Sequence, residues 1–102
     1  MNKKTKKLID QTIADVELIF EAMKTEIFTS DTVDALARFY KNLPKLPPEI
    51  KGLSSPDGEI GIVENGVGFH LHDSDVEYHY CADCREITKH TIKHSSETIQ
   101  VS

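Results

Sequence analysis

Residues 59 to 81, EIGIVENGVGFHLHDSDVEYHYC, switch the apolar pattern of the chain from a helical period to an alternation of two. The Asn65-Gly66 pair is a tight-turn signal between strands at about 59–63 and 67–73. A second turn at Ser74 and Asp75 leads into VEYHYC. With those two residues at the tip, Asp73 faces Val76, His72 faces Glu77, Leu71 faces Tyr78, His70 faces His79 and Phe69 faces Tyr80. One face then carries Phe69, Leu71, Val76, Tyr78 and Tyr80, a core surface. The other carries His70, His72, Glu77, His79 and Cys81. REITKHTIKH (85–94) and ETIQVS (97–102) extend the pattern, so residues 59–102 read as an antiparallel meander.

Upstream, LIDQTIADVELIFEAMKTEIF (8–28) spaces Ile9, Ile13, Val16, Phe20, Met23 and Ile27 by threes and fours, an amphipathic helix widened by Leu8, Ile19 and Phe28. The seam suits internal packing or a homodimer equally. Thr29, Ser30 and Asp31 offer caps for a second helix, and Asp34 is expected in its first turn. Val33, Leu36, Tyr40 and Leu43, flanked by Ala37 and Phe39, keep the helical period until Pro44 stops it. The short link predicts an antiparallel helical hairpin over 5–43. Residues 44–58 hold all four prolines together with Gly52 and Gly58, and read as a proline-rich linker. The expected fold is one α+β domain over 1–102.

The 102 residues are 38% hydrophobic and 28% charged, the range of a folded domain too small for a generous core. No apolar run reaches the roughly 20 residues of a membrane span, and the lysine-rich start lacks a signal peptide's apolar stretch, so a cytoplasmic location is expected. The net charge of −5 is uneven: residues 1–53 carry nine Lys/Arg against eight Asp/Glu, and residues 54–102 carry three against nine. That acidic half opposes binding to phosphate backbones, leaving Lys3, Lys4, Lys6 and Lys7 as the basic cluster.

Cys81 and Cys84 are the two cysteines, separated by two residues between strands, where both thiolates can point at one ion. A thioredoxin-like role would instead put such a pair at a helix N-terminus. Histidine is the available complement. His90 and His94 follow at C-x5-H-x3-H, and His79 and His70 approach from the other side as alternates. A structural Zn²⁺ held by Cys81, Cys84, His90 and His94 is therefore expected.

With Tyr80 before Cys81 and Cys84, the stretch resembles one half of a zinc ribbon, in which a C-x2-C turn joins two strands. It also resembles the retroviral-type zinc knuckle C-x2-C-x4-H-x4-C, with His90 one residue late and His94 near the place of the last cysteine. His70 and His72 resemble the start of the metallo-beta-lactamase H-x-H-x-D-H motif, with Asp73 and Asp75 out of its order.

No nucleophile triad or phosphate-binding glycine loop is present in the sequence, so the expectation is a noncatalytic, zinc-stabilised protein-binding module, a regulator, adaptor or inhibitor. The alternatives are a zinc-knuckle nucleic-acid binder and a small zinc hydrolase. Asp73, Asp75, Glu77 and Asp83, near two successive turns, are expected to meet a basic patch on a partner.

Overall fold

The computed structural model describes residues 2–47, 54–55, 57–91 and 96–101. Helices α1 (Lys3–Thr25) and α2 (Ser30–Asn42) are followed by a 3₁₀ turn (Leu43–Lys45). Six strands then pair antiparallel in chain order: β1 (Ser54–Ser55), β2 (Gly58–Val63), β3 (Gly66–Leu71), β4 (Val76–Cys81), β5 (Glu86–Thr91) and β6 (Ser96–Thr98). This is the α+β arrangement, helices first and a meander second. The linker expected at 44–58 begins in the 3₁₀ turn and contains β1; its residues 48–53 and 56 lie outside the described residues.

Local chemistry sets the helix ends. The Asn2 side chain accepts from the Thr5 N–H at 2.8 Å to start α1, and Glu26 in the left-handed region (φ 58°) ends it. Thr29 caps α2, its N–H donating to Thr32 Oγ1 at 3.2 Å. The acid in the first turn is Asp31, and Asp34 is one turn too late for that role. Asp34 instead accepts from Arg85 Nη2 at 3.2 Å.

The helices cover one sheet face. Phe69 of β3 meets Phe20 edge-on at 5.7 Å between ring centres and Phe39 at 5.6 Å, while Phe28 lies 5.0 Å from Tyr78. Val67, Tyr80 and Ile87 complete the sheet's buried face. In α1 the middle of the seam, Val16, Phe20 and Met23, is buried within the chain, joined by Ile19 and Ala22. Ile13 and Ile27 of the expected seam are exposed, Ile27 by 60%. The buried stripe runs instead through Thr12 and Asp15, because α1 packs on α2 as well as on the sheet. The Asp15 carboxylate is tolerable there because Arg38 grips it through Nη2 at 2.7 Å and Nε at 3.1 and 3.2 Å, and Gln11 donates at 3.1 Å. In α2 Ala35, Leu36 and Phe39 enter the core, and Tyr40, expected in the seam, is 37% exposed.

The β3–β4 register differs from the expected one by two residues. Phe69 pairs with Tyr78, and His70 with Glu77. The connection is four residues, His72 to Asp75: Asp73 takes the positive φ (60°) and Ser74 Oγ accepts the Val76 N–H at 3.1 Å. An even shift keeps every side chain on its face, so the separation into core and solvent faces holds. At the β2–β3 turn the tip is Glu64-Asn65, with Asn65 at φ 63°, and Gly66 already pairs with Val63. A Cβ on Gly66 would strike the Tyr80 carbonyl, and one on Gly58 would strike the His70 carbonyl and lie 2.7 Å from Phe20 Cε1. Both glycines therefore serve close approach.

Lys24–Asp57 (2.7 Å), Arg85–Asp34 (3.2 Å) and Lys89–Glu26 (3.3 Å) tie the helices to the sheet at the surface. Among the described residues, no helix is long and apolar enough to cross a membrane.

Candidate functional site

The β4–β5 connection, Ala82 to Arg85, follows from its hydrogen bonds. The Arg85 N–H closes the loop on the Cys81 carbonyl at 2.8 Å, with Arg85 at φ 55°, and the Ala82 N–H donates to the Asn65 carbonyl at 2.9 Å. The two hairpin tips are thereby tied at one end of the sheet. Inside the loop the Cys84 N–H donates to Cys81 Sγ at 3.4 Å. Both cysteines are free thiols, Cys81 half-buried and Cys84 exposed. The neighbouring Cys81 side chain, as hydrogen-bond partner first and through its charge second, with burial, Glu86 and Asp83 adding less, pushes the Cys84 thiol above its ordinary range.

The histidines lie elsewhere on the same solvent face. Register places Glu59, His70, Glu77, His90 and Ser96 in one row across β2 to β6. Cys81 pairs with Glu86, two rows away, so His90 sits about 13 Å from it along the strands. The His90 ring stacks on His79 at 4.2 Å between centres, and His79 Nε2 donates to Glu77 Oε2 at 3.1 Å. His70 Nε2 donates to the Ser74 carbonyl at 2.7 Å. Carbonyl and carboxylate oxygens only accept, so each of these Nε2 atoms carries its hydrogen. The structure thus brings Cys81 and Cys84 together, and Glu77, His79 and His90 together, as separate groups. His94 lies outside the described residues. Among the described residues, no three His, Cys, Asp or Glu side chains are gathered as a metal site.

The expected acidic patch is likewise divided. Asp73 and Asp75 belong to the turn before β4, and Asp83 to the turn after it. Successive turns of a meander lie at opposite ends, here about 20 Å apart.

Two concavities flank these groups. On the solvent face, a groove of about 270 Å³ is floored by the facing pair Gly61 and Gly68 and bordered by Glu59, Val63, His70 and His79. On the helix side, a wider groove of about 460 Å³ is formed by Tyr40, Lys41, Leu43, Pro44 and Ile62. Ile62 shares the core-facing side of β2 with Ile60, yet it is 77% exposed. The strand pattern shows which face Ile62 occupies. It does not show that the helical cover ends before reaching it, so the groove escapes a reading of sequence alone. No family model matches the chain, and no curated protein or solved structure matches it either.

Proposed function

We propose that this chain is a small noncatalytic protein-binding module, working in the cytoplasm, whose sheet is stabilised by zinc at Cys81 and Cys84 and whose apolar groove receives a side chain from a partner protein. The observation that carries the binding role is Ile62, a large aliphatic side chain left 77% exposed beside Tyr40 and Pro44. Contiguous exposed apolar surface of this kind is characteristic of interaction sites. The zinc role is supported by the adjoining thiols and the N–H donated to Cys81 Sγ. The −6 charge of residues 54–102 favours a protein partner over nucleic acid.

Burying Ile62 fully would contribute roughly 1.5–3 kcal/mol, so Ile62→Asp is expected to weaken binding by at least about tenfold. The partner is captured from the native host with the wild-type chain, and its affinity for the purified wild type and variant is compared. An exposed position should leave the melting temperature of the variant unchanged. Equal affinity for the two proteins would refute the groove as the binding surface.

A further inference from the structure

We infer that the zinc site is completed by a second copy of the chain, Cys81 and Cys84 of two protomers closing a four-thiolate tetrahedron. The inference rests on the proposed zinc role and concerns where the other half of its ligands originates. Each chain has only two cysteines, Cys81 half-buried at the end of β4 and Cys84 exposed on the turn that follows. They supply two adjoining sulfurs, half of what a structural zinc requires. The described histidines lie elsewhere: His79 is bonded to Glu77 and stacked on the His90 ring, His70 is bonded to the Ser74 carbonyl, and His72 belongs to the turn before β4, at the end of that strand opposite Cys81. His90 is two rows from the thiols.

A surface half-site is completed most simply by its own two-fold image, since one contact satisfies both copies. Cys84 sits with Asp83, Arg85 and Glu86 on an exposed tip that projects past the strand ends, so two tips can meet without disturbing either core. Each tip has two carboxylates against one guanidinium, and that guanidinium is held by Asp34. Like charge keeps the copies apart until the cation arrives. On binding, four thiols release their protons to solvent and four Zn–S bonds form.

The test titrates zinc into the reduced full-length chain and follows mass by native mass spectrometry and light scattering, with cobalt(II) as a spectroscopic substitute. The expected result is conversion from one chain to two, saturating at one metal per two chains, with thiolate-to-cobalt charge transfer corresponding to four sulfurs. Cys84→Ser should remain monomeric, and His94→Ala should dimerise as the wild type does. One metal per monomer with a two-sulfur cobalt spectrum, or loss of metal in His94→Ala, would overturn the second copy and leave zinc in place. Absence of metal uptake would overturn both readings.

Discussion

Tyr78 and Tyr80 are residues whose burial has a measurable consequence. Burial raises the pKa of each above the ordinary value of 10, and Arg85 opposes the shift at Tyr80. The folded protein therefore holds these phenolic protons more tightly than the unfolded chain does. Their contribution to stability is complete below about pH 10 and is lost as pH rises through the folded-state values. Lys24 and Lys89, raised by their hydrogen bonds to Asp57 and Glu26, lose their pairs at high pH too, but both are surface pairs of small effect. Urea midpoints measured from pH 8 to 11 should fall steeply for the wild type and less steeply for Tyr78→Phe/Tyr80→Phe. Parallel curves would show that the phenols are not the cause.

Among the elements, α1 depends on the sheet through Phe20, which is fully buried against Phe69. Phe20→Ala is expected to cost about 3–5 kcal/mol in urea unfolding; a loss below about 1 kcal/mol would place this seam outside the core. The helix spacing identified Val16, Phe20 and Met23, but the position of the stripe depends on a second contact. Asp15 reads as a solvent-facing charge until Arg38, 23 positions away, is brought beside it. The strand alternation showed that Phe69, Tyr78 and Tyr80 share a face, and it held because that property survives an even register shift. The register itself was hidden in Asp73, whose positive φ makes a four-residue turn where Ser74-Asp75 suggested two. That difference matters for the site. It moves His70 from opposite His79 to opposite Glu77, and so into the row that contains His90. The C-x2-C turn was legible because its spacing is local, whereas the placement of the histidines depends on which rows share a neighbourhood.

For the whole molecule, the described residues combine a core shared by helices and sheet, the surface ion pairs Lys24–Asp57, Arg85–Asp34 and Lys89–Glu26, and one end of the sheet where the β2–β3 and β4–β5 tips are tied. A domain of this size has little spare stability, so a metal at that end should hold β4 and β5 in register. The most direct measurement is the melting temperature of the purified, reduced protein, with its zinc content determined, before and after a zinc chelator. The account predicts zinc in the starting protein and a fall of at least about 4–8 °C on chelation, the shift that ~1 kcal/mol causes in a domain near 100 residues. A zinc-free protein whose melting temperature is the same with and without chelator would contradict it.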